Sequence, residues 1–342
     1  MHVFISTAER SGLLYARLIA DNLARHYPGI TIYAPPDADS APVGFGAGAL
    51  ESRGVLERMR RIERTVRKLR PDVFLAVAWS EPNTILGLRL RDLRGMRRIF
   101  FAPPQLWAWG RWRATLIRRG YDTLYCLYPR EARFLRSLGL LAHFHRNPLA
   151  DYLKPYFNLE RIPGTIALLP GSRASEKSRN LDLLRGLRIR WKKHQPGFRF
   201  TWLFLTDEEA RQSRAFIGAG DRIVGGLERY KELAKSGLAV VTSGTATLET
   251  ALLGTPQVAF YNMSRLEVAL VRLLTRVRRF ALPNVILDEK VIPEYLNPSA
   301  EVLVNAALVQ IEAQPFSETL ARRLRTELGG SVDKPLIPLN IC

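Results

Sequence analysis

Two doubly wound α/β domains with a cleft between them are what this sequence predicts, and three observations carry the prediction. Short apolar runs alternate with amphipathic helical stretches along the chain, the pattern of parallel strands joined by crossover helices. The alternation breaks near residues 155–163, where Lys154-Pro155 and Ile162-Pro163-Gly164 bracket a polar stretch, and then restarts. The length, 342 residues, accommodates about two domains of roughly 150 residues, each long enough to bury its own core.

In the first half, Val3–Ser6 reads as a strand, followed by a Gly turn and an amphipathic helix from about Leu13 to His26. Ile30–Tyr33 reads as a second strand. Residues 34–48 form a Pro/Gly connection in which Gly44 and Gly46 begin a dinucleotide-type glycine pattern that Ala49 leaves incomplete. Residues 51–70 read as a basic helix with Arg53, Arg58, Arg60, Arg61, Arg64, Arg67, Lys68 and Arg70. Val73–Ala78, Arg98–Ala102 and Thr123–Leu127 read as buried strands. In the second half the strands are Gly164–Leu169, Phe200–Leu205, Leu238–Thr242 and Gln257–Tyr261. No repeat at the 20–50-residue periods of solenoids is present. Ligands in doubly wound sheets sit at the carboxyl ends of strands, so the turns after these runs are where chemistry is expected.

Composition narrows the function classes. A hydrophobic fraction of 47% with 24% charged residues excludes wholesale disorder. No apolar run approaches the roughly 20 residues of a membrane span. The chain enters an apolar strand at once, so a secretory leader is not expected. Two cysteines, Cys126 and Cys342, are too few for a disulfide framework, which fits a reducing cytoplasm. His143 and His145 alternate but have no third ligand, so no metal is expected. The excess of 51 Lys+Arg over 32 Asp+Glu gives +19 and favours an anionic partner: nucleic acid, lipid headgroups or a phosphorylated substrate.

Two turns in the second half suit phosphate. The strand ending at Thr242 runs into Ser243-Gly244-Thr245-Ala246-Thr247-Leu248-Glu249 and a helix. Gly244 allows close backbone approach. Ser243, Thr245 and Thr247 offer hydroxyls, and the free N–H groups of the helix start favour an anion. Glu249, a turn further on, could accept from a ribose hydroxyl. A plain N-cap is the alternative. Pro170-Gly171-Ser172-Arg173 repeats the device, with Arg173 adding a planar fork for phosphate or carboxylate. Leu282-Pro283-Asn284 is a rigid turn carrying an amide. Residues 103–113 hold three of the six tryptophans, Trp107, Trp109 and Trp112, interleaved with arginines. They could stack on bases, sit at a lipid headgroup boundary, or form a domain-edge core cluster. Residues 264–280 read as an amphipathic basic helix with Arg265, Arg272, Arg276 and Arg279 on one side, suited to a membrane surface or solvated over a core.

In this order the segments resemble the lipid-A-disaccharide synthase family, inverting glycosyltransferases of the GT-B fold. The family's LLPGSR resembles Leu168–Arg173, its SGTATLE Ser243–Glu249, its P-V-x-x-Y Pro256-Gln257-Val258 with Tyr261, and its LPN Leu282-Pro283-Asn284. The family's P-E-L-x-Q stretch is similar to Pro293–Asn297. In the first half GEASGD resembles Ala8-Glu9-Arg10-Ser11-Gly12-Leu13, PDVF stands as Pro71–Phe74, and SPxxWAW resembles Ala102-Pro103 through Trp109. The matches run over roughly residues 1–320. Departures fall on the first half: Leu13 replaces Asp, only Glu81 is left of an Asp pair once Ala78 takes the other place, and Asn147 stands for His in the stretch resembling GHPxAD.

The resemblance implies residues 1–158 as an acceptor-side Rossmann-like domain, 159–321 as a UDP-sugar-binding domain, and 322–342 as a tail packing back on the first. It implies two domains facing a central cleft. UDP would be held by Gly171, Ser172, Arg173, Ser243, Gly244, Thr245, Thr247, Glu249 and Asn284. The acceptor or membrane side would use Ser11, Gly12, Trp107, Trp109 and Asn147. The implied donor is UDP-2,3-diacylglucosamine and the acceptor is 2,3-diacylglucosamine 1-phosphate. Both are lipids at the inner face of the cell membrane, where a cytoplasmic protein would bind peripherally and the +19 charge finds a use. A homodimer is left open, and neither a cofactor nor nucleic acid is expected. Inverting transfer needs a base within reach of the acceptor hydroxyl: Glu81 is the first candidate and Glu9 the second. Arg173 and the helix start at Ser243–Thr245 would take the leaving-group charge. The competing readings are a paralogue with another acceptor and a catalytically degenerate basic protein docking on membrane or nucleic acid.

Overall fold

The computed structural model describes residues 1–8, 10–34, 49–171, 174–264, 268, 279–312, 314–331 and 333–339. Glu9, Gly44, Gly46, Ser172, Arg173 and nearly all of the basic 264–280 stretch lie outside the described residues, and so does the side chain of Ser11. Among the described residues, Met1–Asp151 and those from Glu327 onward form one compact unit, and those from Tyr152 to Thr326 form the other.

The first unit orders β1 (His2–Ser6), α1 (Arg10–His26), β2 (Thr31–Tyr33), α2 (Ala49–Leu69), β3 (Val73–Val77), α3 (Ser80–Arg89) and β4 (Arg97–Phe101). It continues through α4 (Arg113–Gly120), β5 (Thr123–Tyr125), α5 (Pro129–Ser137), β6 (Ala142–His143) and α6 (Pro148–Tyr152). Its strands lie in the order β2-β1-β3-β4-β5-β6, all parallel. Every side chain of β3 is buried, because helices cover both faces of a parallel sheet; this is why such strands read as unbroken apolar runs. Helix α2 turns Met59, Ile62 and Val66 inward and leaves Arg60, Arg61 and Arg64 to solvent, with Arg67 bridging Glu63 and Asp92.

Residues from Glu327 onward pack on this unit. Leu328, Leu336, Ile337 and Leu339 are buried. The Leu336 amide donates to Asn22 Oδ1 at 2.8 Å, the Leu339 amide to the Tyr27 hydroxyl at 2.7 Å, and Arg146 Nη1 to the Lys334 carbonyl at 2.7 Å.

The second unit runs β7 (Ile162–Leu169), α7 (Ala174–His194), β8 (Arg199–Leu203), α8 (Asp207–Ser213), β9 (Arg222–Val224), α9 (Glu228–Lys235) and β10 (Ser236–Thr242). Then come α10 (Thr245–Leu252), β11 (Gln257–Tyr261), α11 (Leu282–Leu287), β12 (Glu294–Leu296), α12 (Ala300–Ile311) and α13 (Gln314–Leu328). Its order is β12-β11-β10-β7-β8-β9, again all parallel. Its core includes Trp191, Trp202, Phe200, Phe204 and Phe260.

The two strand orders place a topological switch point in each unit. In the first, the chain leaves β1 to one side for β2 and then returns to the other side for β3. In the second, it leaves β7 for β8 and β9 and returns to β10. Crossover helices diverge there, which opens a crevice at the carboxyl ends of the two strands. Among the described residues no helix is long and apolar enough to cross a membrane.

Candidate active-site residues

In the second unit the switch point lies between Pro170-Gly171, leaving β7, and Ser243-Gly244, leaving β10. The two turns are tied together from beneath. Asn180 of α7 is buried and gives its amide protons to the Pro170 carbonyl (2.8 Å) and Thr242 Oγ1 (3.3 Å). Its Oδ1 accepts from Asn262 Nδ2 at 3.0 Å. Gly171 has φ +86°, and a Cβ there would lie 2.5 Å from Thr242 Cγ2, so only glycine lets the turns approach this closely. Gly244, at φ 140° and ψ −159°, sits in a region open only to glycine and starts α10 with no side chain capping it. The first amides of an uncapped helix at a switch point form an anion-binding surface. Ser243, Gly244 and Thr245 are half-exposed there.

Three further donor-side candidates, Thr247, Glu249 and Asn284, are buried and held by their neighbours. Thr247 is buried; its hydroxyl donates to the Gly244 carbonyl (2.8 Å) and accepts from the Leu282 amide (3.1 Å). Asn284, expected beside the nucleotide, is fully buried. Its Oδ1 accepts from the Val291 and Ile292 amides (2.8 and 2.9 Å), and its Nδ2 donates to the Ile292 carbonyl (2.9 Å). It staples the loop after α11. Glu249 is buried, with Oε1 accepting from the Tyr230 hydroxyl (3.2 Å) and Arg229 Nη2 (3.3 Å). Glu294 holds the segment entering α11, accepting from the Phe280 and Ala281 amides at 2.9 and 2.7 Å. Ser243 Oγ donates to the Phe280 carbonyl at 3.0 Å.

In the first unit the exits of β1, β3 and β4 lie side by side, and those of β3 and β4 carry strain. Ala78, Trp79 and Ala102 have φ of 49°, 50° and 53°, a left-handed conformation that costs non-glycine residues about 1–3 kcal/mol each. Asn83 holds two of these exits together. Its Nδ2 donates to the Ala78 carbonyl (2.7 Å) and the Ser6 carbonyl (3.3 Å), and its Oδ1 accepts from Ser6 Oγ (2.7 Å). This bracket aims the first turn of α3, where Glu81 stands with its side chain 56% exposed. Arg113 Nη1 meets Glu81 Oε1 at 3.0 Å. The guanidinium lies over the Trp109 ring, 3.9 Å from its centroid, and Nη2 donates to the Trp109 carbonyl at 3.1 Å. Burial holds the Arg113 guanidinium below its ordinary pKa, an effect Glu81 opposes.

Other candidates of the first unit are partly or wholly enclosed. Trp107 and Trp109 are half-buried, and Trp109 stacks on an internal arginine; the indole open to solvent is Trp112, 66% exposed. Asn147 is buried, with Nδ2 donating to the Leu127 carbonyl (3.1 Å) and Oδ1 accepting from the Leu149 amide (3.0 Å), which braces the start of α6. Gly12 is buried in the first turn of α1. His143 and His145 lie against the Tyr125 ring. Among the described residues no three His, Cys, Asp or Glu side chains gather as metal ligands do.

The sequence reading missed Asn83, Arg113, Asn180, Asn262, Arg229 and Glu294. A signal existed for two of them. Asn83 shares a stripe with Leu86 and Leu90, and Asn180 one with Leu184, Leu187 and Trp191, each a lone polar side chain on an otherwise buried helix face.

Residues 3–321 match the family model described as lipid-A-disaccharide synthetase. The chain belongs to the lipid-A-disaccharide synthase family. A member from Syntrophus aciditrophicus is 30% identical over 360 residues, covering 96% of this chain and 93% of that one. One from Anaeromyxobacter sp. (strain K) is 28% identical, covering 99% and 95%. Among solved structures, the UDP-GlcNAc 2-epimerase of Neisseria meningitidis bound to UDP-GlcNAc superposes with a TM-score of 0.63 at 11% identity, covering 94% of both chains. The spinosyn rhamnosyltransferase complexed with thymidine diphosphate gives 0.55 at 12%, covering 96% and 95%. At such identities the likeness establishes the fold, which is GT-B. As a lipid-A-disaccharide synthase family member, the chain is a glycosyltransferase.

Proposed function

We propose that the protein transfers 2,3-diacylglucosamine from its UDP donor to 2,3-diacylglucosamine 1-phosphate, yielding lipid A disaccharide and UDP. The observation that carries the donor half is the uncapped start of α10 beside Gly171, at the switch point of the second unit. In the reaction the acceptor oxygen bonds to the anomeric carbon from the face opposite the diphosphate. The bond from that carbon to the diphosphate oxygen breaks, and UDP leaves with the electron pair. Glu81 takes the acceptor proton. The α10 amides and Arg173 take the charge that develops on the diphosphate. Thr247, Asn284 and Glu294 hold the strap from residue 280 to 292 on which that geometry depends.

The test is direct: purified protein, UDP-diacylglucosamine and the lipid sugar phosphate, with the disaccharide detected by mass spectrometry. Absence of both disaccharide and released UDP would reject the assignment. Transfer to other acceptors only would favour the paralogue reading.

Arg173→Ala is expected to weaken UDP binding by about 10- to 100-fold, the worth of a charge-assisted hydrogen bond. Calorimetry with UDP measures this, and unchanged affinity would remove Arg173 from the site. With a net charge of +19 and Trp112 exposed, the reading also places the protein on the inner face of the cell membrane. Sedimentation with anionic vesicles is expected to fall steeply as salt rises. Equal sedimentation with neutral vesicles would reject electrostatic docking.

A further inference from the structure

We propose that Arg113 is the positioning residue for the Glu81 carboxylate, a role that rests on Glu81 being the base. The two ends of this ion pair differ. The arginine is buried, its side chain 7% exposed, while the carboxylate it holds is more than half open to solvent. A pair built for stability would bury both partners or expose both. Here a buried cation presents a half-exposed carboxylate at the end of β3.

The arginine itself has little freedom. Its guanidinium rests on the Trp109 ring, and one arm is spent on the Trp109 carbonyl. The other arm, Nη1, reaches Glu81 Oε1 at 3.0 Å. Residues 109–113 thus wrap the guanidinium, and the Trp-Arg composition of this loop serves an internal stack as well as a surface.

The role has a chemical basis. An exposed glutamate in a first helical turn samples several rotamers, and only some would bring an oxygen to the acceptor hydroxyl. Fixing Oε1 on a rigid cation leaves Oε2 at a defined place to receive the proton. Misplacing a reacting group by about 1 Å can cost on the order of 100-fold in rate. The planar fork and the ring stack also make lysine a poor replacement.

The experiment is a double-mutant cycle on the full-length protein, with kcat for transfer and calorimetric UDP affinity measured for each variant. Arg113→Gln is expected to lower kcat by about 10- to 100-fold while leaving UDP affinity within about twofold, since the donor turns belong to the other unit. The double variant Glu81→Gln with Arg113→Gln is expected to be no slower than Glu81→Gln alone, because an arginine acting through Glu81 has nothing left to position. Arg113→Ala is expected to regain activity with added guanidinium. If Arg113→Gln does not fold, Arg113→Lys takes its place in the cycle. Losses that multiply in the double variant, or full activity of the Arg113 single variants, would overturn the proposal while leaving Glu81 as base. Full activity of Glu81→Gln would remove the base assignment and the proposal with it.

Discussion

Glu81→Gln is expected to cut kcat for transfer by about 10²- to 10⁴-fold, the usual contribution of a positioned general base, with UDP affinity unchanged. Glutamine keeps the shape and an oxygen for Arg113 Nη1, 3.0 Å away in the wild type, but cannot accept the proton. The bracket that aims α3, Asn83 on Ser6 and Ala78, is left intact, so the fold is not at stake. Single-turnover measurement of disaccharide formation, alongside calorimetry with UDP, separates loss of chemistry from loss of binding. Transfer at the wild-type rate would pass the role to Glu9.

The second large effect concerns stability. Glu131, in α5, is fully buried, and desolvation pushes its pKa from 4.5 up to about 8, against a weaker opposing pull from the Leu127 amide that its Oε2 accepts at 3.2 Å. The folded protein therefore keeps a proton that the unfolded chain releases above about pH 4.5. A carboxyl raised in this way supports the fold fully at low pH, and its support is lost as pH climbs through that window to about 8. At about 1.4 kcal/mol per pH unit the loss amounts to about 5 kcal/mol. Glu131→Gln keeps an oxygen for the Leu127 amide and has no charge to bury. The variant is expected to match the wild type near pH 5 and to exceed it by several kcal/mol at pH 8. Urea unfolding of both proteins across pH 5–8 reads the difference, in which the other titrating groups cancel. Parallel pH dependence in the two would show that Glu131 is ionised in the fold.

The long strands were legible in the sequence because a parallel sheet buries both faces. Val73–Val77, Leu238–Val241 and Val258–Phe260 are therefore unbroken apolar runs of strand length. The edge strands β6, β9 and β12 have only two or three residues each, too few to show a period, and were missed. The Ser243–Thr247 turn was legible as a strand-to-helix junction because glycine and hydroxyl residues end the apolar run there. Which of its residues face outward was not. Thr247 and Asn284 have the same chemistry as ligand contacts, and only the register of α10 and the loop after α11 turns them inward. The tryptophan loop left its three readings open for a related reason. An indole under a buried guanidinium and an indole in solvent are the same letter, and the arginine that decides between them, Arg113, pairs with a residue on another helix.

The packing of residues from Glu327 onward has a consequence during synthesis. Leu336, Ile337 and Leu339 close the interior of the first unit, yet they are translated after everything that builds the second. The amino-terminal half thus waits, with an apolar face uncovered, until the ribosome has finished the other half. Vectorial folding, in which each domain matures as it emerges, therefore leaves the last layer of the first unit to be added after the second has been made.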